Sequence, residues 1–130
     1  MSIAVGFATT QEAAAALSAA VSEAALRSTG INLYLPAGAE STSDLEALER
    51  TRAEAEAAGV ALDVVSLEKD ADLGDALIDA SYRADTEVVV IGLRRRSPMG
   101  KLLLGSLSQR ILLEAGCAVH AVKVRVGPRG

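Results

Sequence analysis

Five short runs rich in β-branched residues alternate with four longer stretches that open like helices. That order constrains the fold more than any other feature of the chain. The strand-like runs are residues 3–7, 31–35, 60–67, 87–91 and 118–126. Each intervening stretch begins with a capping pattern. Thr9-x-x-Glu12 precedes an alanine-rich helix over about residues 10–28 that stops at Gly30. Ser43-x-x-Glu46 opens a polar helix that stops at Gly59. Asp72-x-x-Asp75 starts a shorter helix ending near Ala84, and Ser106-x-x-Gln109 caps the last, which ends at Gly116. Right-handed crossovers turn a β-α-β-α-β-α-β-α-β order into an α/β fold: one parallel sheet with helices on both faces. Ligands in such sheets sit beyond the carboxyl ends of the strands, where the strand order reverses. The loops after strand one and strand four border that crevice together.

The strands differ in burial. Val88, Val89, Val90 and Ile91 form an unbroken β-branched run, the pattern of a strand covered on both faces. In the last strand Val122, Val124 and Val126 alternate with Lys123 and Arg125, as at a half-exposed edge. An exposed edge invites pairing, and pairing with a second copy gives a two-fold homodimer through residues 118–126. The first 126 residues read as one domain and residues 127–130 as a tail.

Composition narrows the function classes. Half of the 130 residues are apolar, yet the aromatic ones are Phe7, Tyr34 and Tyr82 alone, so the core is aliphatic. Platforms for stacked nucleic-acid bases need aromatic rings, which argues against nucleic acid as a partner. One cysteine, Cys117, and one histidine, His120, make neither an internal disulfide nor a Cys/His metal cluster. No metal is expected. No apolar run approaches the roughly 18 residues of a membrane span, and the chain opens on a strand rather than a leader. A cytoplasmic protein with no membrane partner is expected. The net charge of −4 hides a split. Residues 40–87 hold fourteen acidic and four basic side chains, whereas residues 88–130 hold one acid, Glu114, and eight Lys/Arg. A basic loop on an acidic protein suits a small anion better than a DNA duplex.

That loop follows strand four. Gly92 lets the backbone turn and lets a ligand approach closely. Arg94, Arg95, Arg96 and Lys101 supply charge around Gly100, and Gly105-Ser106 opens a helix whose free amides favour an anion. The alternative is that the glycines are turn and cap residues and the arginines are solvated. Met99-Gly100-Lys101 is not a Walker loop, since Arg95 stands where that pattern needs its first glycine and Leu102 where it needs Ser or Thr.

The whole strand pattern, and residues 88–124 most closely, resembles the universal stress protein family. ATP-binding members carry Gly-x2-Gly-x9-Gly-Ser/Thr after strand four. Here Gly92, Gly105 and Ser106 are in register, and Arg95 replaces the second glycine. The resemblance implies a Rossmann-like sheet of order 3-2-1-4-5, akin to the adenine nucleotide alpha hydrolase fold, and dimerisation through the last strand. It implies that Ile91 and Gly92 lie near a nucleotide and that Gly105, Ser106, Leu107 and Ser108 line its phosphates. After strand one, Ala8 occupies the place where ATP-binding members put an aspartate against the nucleoside, and Thr9 beside it is a further candidate. The expected ligand is therefore ATP, another adenine nucleotide or another phosphorylated small molecule, with altered specificity.

The remaining candidates have plainer explanations. His120 reads as a packed strand residue with no partner for a catalytic triad. Cys117 reads as a small buried apolar residue, with a redox-sensing thiol as the alternative. Asp70, Asp72 and Asp75 suit a helix start better than a magnesium site. Pro98 fixes the loop. The chain is thus expected to be a small regulatory binding module with a protein partner that the sequence does not identify. A slow ATPase and a ligand-free dimeric scaffold are the alternatives.

Overall fold

The computed structural model describes residues 1–95 and 102–124. Strands β1 (Ser2–Gly6), β2 (Gly30–Leu35), β3 (Leu62–Ser66), β4 (Thr86–Arg95) and β6 (Ala118–Val124) form the parallel sheet, and β5 (Leu102–Leu103) is a two-residue addition. Between them run α1 (Gln11–Arg27), α2 (Thr42–Ala57), α3 (Leu73–Ser81) and α4 (Ser106–Glu114). The order across the parallel sheet is β3-β2-β1-β4-β6, the 3-2-1-4-5 arrangement once β6 is counted as the fifth parallel strand. The order reverses between β1 and β4, which pair from Ser2↔Thr86 to Val5↔Val90.

Period-two burial splits the core in two. On one face Ile3, Val5, Ile31, Leu33, Val88 and Val90 pack under α1 and α2. The α1 stripe is Ala16, Leu17, Ala20, Val21 and Ala24, and its three alanines let that helix lie close to the strands. On the other face Ala4, Val89, Ile91 and Leu93 meet Leu77 and Ala80 of α3 and Ile111 of α4. All four members of the run 88–91 are buried, as a strand covered on both faces requires. β6 is the opposite case. Ala118, His120, Ala121 and Lys123 are exposed while Val119, Val122 and Val124 are half-buried.

Helix starts depart from the sequence pattern by a residue or two. Thr10, not Thr9, caps α1 and accepts from the Ala13 amide at 3.2 Å. Ser41, not Ser43, caps α2, in a reciprocal box with Asp44. Both segments hold neighbouring hydroxyl residues that can serve as caps. The frame that wins puts Thr51 and Ala55 against the core. Asp72 caps α3 as expected and accepts from the Asp75 amide at 3.0 Å. α1 ends at Ser28 in the left-handed conformation (φ 54°), two residues before the expected glycine stop.

The largest departure is at the end of β4. The expected strand stops at Ile91 and turns at Gly92. The actual strand runs on to Arg95, because β6 pairs with it residue for residue as far as Arg94↔Val124. Arg94 and Arg95 then pair antiparallel with Leu103 and Leu102 of β5. Arg95 therefore occupies extended backbone, where a side chain costs nothing, rather than a glycine turn.

Candidate functional site

A cavity of about 350 Å³ opens at the carboxyl ends of β1 and β4, at the switch point of the sheet. Three segments meet there. The β1–α1 connection brings Phe7, Ala8 and Thr10, and the first turns of α1 add Glu12, Ala13 and Ala16. β4 contributes Val90, Ile91, Gly92 and Arg94. The start of α4 contributes Gly105 through Ser108, and Leu73 and Leu77 of α3 close the apolar side.

The sequence candidates are largely brought together. Ala8, Ile91, Gly92 and Arg94 line this cavity, as do Gly105, Ser106, Leu107 and Ser108. Thr9 does not. It borders a neighbouring hollow between α1 and α2, beside Ser18 and Glu54. Gly100 and Lys101 lie outside the described residues, as do Arg96 and the side chain of Arg95.

The fourth helix starts one residue earlier than its sequence pattern suggests. Gly105 is the N-cap, with φ −71° and ψ 165°, and Ser106 is already inside the helix. A glycine cap offers no side-chain oxygen to the first amides of α4. Those amides, with the positive end of the helix dipole, face a cavity rather than a cap. Ser108 is anchored elsewhere: its hydroxyl donates to the Gly92 carbonyl at 3.2 Å and ties α4 to β4.

Gly92 does something other than turn the chain. A Cβ built on it would fall 2.0 Å from the carbonyl oxygen of Glu12 and 2.6 Å from the carbonyl carbon. The missing side chain lets the first turn of α1 lie directly on β4. The close approach expected of a ligand is made by the protein's own backbone, while Gly92 still lines the cavity beside it.

One arginine lines the site and a second braces the elements beside it. Arg94 Nη1 lies 3.9 Å from Glu12 Oε2, an ion pair across the cavity wall. Arg110, farther along α4, donates to Asp72 Oδ2 at 2.7 Å and to Asp75 Oδ1 at 2.6 Å. It clamps α4 to the start of α3, and Gly74 leaves the room: a Cβ there would sit 2.7 Å from Arg110 Nη1. The Asp72 carboxyl is held below the ordinary carboxylate range, by the Arg110 guanidinium first and by the Asp75 amide second. These aspartates are thus spoken for as helix-start and ion-pair partners, and among the described residues no group of three or more His, Cys, Asp or Glu could hold a metal. Cys117 is half-buried against the α3/α4 core, and desolvation pushes its thiol up, away from the reactive thiolate. His120 lies exposed on β6 with Nδ1 3.9 Å from Glu23 Oε2.

Glu12 and Arg110 are the residues the sequence reading missed. Glu12 reads as part of a capping pattern, although it stands four residues before the buried Ala16, on the face of α1 that meets the sheet. Arg110 shows no sequence signal linking it to residues 35 and 38 positions away.

A model of the universal stress protein family matches residues 1–123. A universal stress protein of Mycolicibacterium smegmatis is 52% identical over 52 residues, which is 40% of this chain and 40% of that protein. Among solved structures, the universal stress protein of Archaeoglobus fulgidus aligns with a TM-score of 0.74 at 27% identity, covering 95% of this chain and 98% of the other. A universal stress protein from the same organism in complex with dAMP aligns at 0.69 and 21% identity, covering 95% and 98%. Among the described residues of this chain, no helix is long and apolar enough to cross a membrane. The strand order, the switch-point cavity and the glycine-capped fourth helix thus coincide with a family match over nearly the whole length, and the chain belongs to the universal stress protein family.

Proposed function

We propose that this protein is a small regulatory module that holds an adenine nucleotide, or another phosphorylated small molecule, in the cavity between β1 and β4. The observation that carries the reading is the start of α4. Its first amides open into a 350 Å³ cavity behind a glycine cap, with Arg94 on the facing strand. Backbone amides at a helix N-terminus and a nearby guanidinium are the groups that bind phosphate oxygens. The apolar side of the cavity, Phe7, Leu73, Leu77 and Ile91, suits a flat uncharged ring. The dAMP held by the Archaeoglobus relative is a ligand of that kind. Calorimetric titration with ATP, AMP and inorganic phosphate tests the proposal. Saturable heat with an adenine nucleotide is expected. Absence of heat at millimolar nucleotide, from protein whose melting curve shows it folded, rejects it.

The same module pairs as a homodimer through β6. That strand is a sheet edge with four of its seven residues exposed, and edges of this kind are either blunted or paired. Light scattering should return twice the chain mass, and replacing Ala121 by Pro should return the mass of one chain. A parent protein that scatters as a single chain at micromolar concentration rules the dimer out and leaves the cavity unaffected.

A further inference from the structure

We propose that the Glu12 carboxylate is the specificity-determining acceptor of the cavity. It selects ligands that present free hydroxyl donors beside a phosphate, as a ribonucleoside monophosphate does. The inference rests on the nucleotide-binding reading above and names the part of the ligand that this chain's own residues recognise.

Among the described residues lining the cavity, the charged ones are Glu12 and Arg94. The cavity therefore has two unlike poles. Donors cluster where the amides of α4 begin, and acceptors cluster at Glu12. A carboxylate is an acceptor with about four lone-pair positions and no proton to give. Arg94 leaves these positions available, because 3.9 Å is an ion-pair separation and lies beyond hydrogen-bond distance. The side chain is also three-quarters sequestered, at 23% exposure, so a donor from the ligand replaces water that is already scarce there.

Glu12 also leaves the backbone from a fixed point. Its carbonyl oxygen and its Cβ press on β4 where a Cβ of Gly92 would fall 2.0 Å and 2.9 Å away. The residue cannot shift along the strand without breaking that contact. Pre-placed acceptors of this kind discriminate well, because an analogue that lacks the donor leaves a desolvated charge unpaired. Arg94 serves both poles. It pairs with Glu12 and lines the same cavity as the start of α4.

The test compares AMP with 2′,3′-dideoxyadenosine monophosphate, which keeps the ring and the phosphate and loses both ribose hydroxyls. A hydrogen bond to a charged acceptor corresponds to roughly tenfold or more in affinity. Parent protein should favour AMP by at least that factor. In Glu12→Ala the preference should fall below about threefold through weaker AMP binding. Affinity for inorganic phosphate should hold or rise, since Arg94 loses its competitor. Glu12→Gln, which keeps the shape, should give an intermediate ratio and guards against a folding defect in the alanine variant. Equal binding of the two nucleotides by the parent, or an unchanged ratio in both variants, overturns the role of Glu12 and leaves nucleotide binding standing. No binding of any adenine nucleotide overturns both.

Discussion

Gly92→Ala should melt about 10 °C below the parent protein. The added methyl group would fall 2.0 Å from the Glu12 carbonyl oxygen, far inside van der Waals contact. Neither partner is a flexible side chain. Glu12 belongs to the first turn of α1, and Gly92 lies in β4, paired with Val122 of β6. Relief requires lifting the start of α1 off the sheet, which uncovers Val90 of β4 and the buried face of Ala16 in α1. Overpacking typically costs about 1–3 kcal/mol, and a clash between two backbones belongs at the upper end. About 3 kcal/mol corresponds to roughly 10 °C for a domain of this size. Gly105→Ala is the control. Its φ is −71° and a Cβ there meets nothing of the described residues within 4 Å, so its melting point should stay within about 3 °C of the parent. A Gly92→Ala protein that melts like the parent would mean that α1 does not rest on β4.

The two glycines of the loop pattern show what could be read in the chain and what could not. Alternating runs and capping patterns sufficed for the strands, the helices and the crevice, because hydrophobic period and local hydrogen bonding are properties of neighbouring residues. The run 88–91 is buried on both faces as its composition demands. The role of Gly92 was not legible, since its neighbour is 80 residues earlier in the chain and a backbone atom carries no sequence signature. A glycine after a strand reads as a turn until β6 is seen to hold the strand straight. The same limit hid Arg110, whose partners belong to another helix. Helix starts slipped for a different reason. Thr9-Thr10 and Ser41-Thr42-Ser43 offer several hydroxyls in succession, and tertiary packing, not local pattern, chooses among them. At α4 the preferred cap type is absent altogether. Gly105 holds the cap position, and Ser106, which matched the pattern, lies inside the helix. A local rule broken at the mouth of the apolar-lined crevice beside the switch point is where function is expected to override stability.

That override predicts an opposite response of stability and binding at Gly105. Gly105→Asp should raise the melting temperature and weaken nucleotide binding at least tenfold. The site is open: φ is −71°, ψ is 165°, and no atom of the described residues lies within 4 Å of the new Cβ. Aspartate is among the favoured N-caps, and its carboxylate accepts from the second or third amide of the helix. It also opposes the positive end of the helix dipole, an effect of about 0.3–1 kcal/mol near a surface. The melting point should therefore rise by about 1–5 °C. The same carboxylate would occupy the phosphate position. It takes the amides that a phosphate needs and adds a like charge where the ligand brings its own. Hydrogen bonds to a charged group contribute about 1.5–3 kcal/mol, so losing them weakens binding roughly tenfold to a hundredfold before repulsion is added. Gly105→Asn separates the two effects. It caps the helix without the charge, so it should match the stability gain and lose less affinity. Paired melting and calorimetric titrations on the three proteins read both quantities. If Gly105→Asp is stabilised and still binds AMP as tightly as the parent, the phosphate does not rest on the start of α4. If it is destabilised instead, those first amides are already satisfied within the protein, and the cavity has no anion pole to offer.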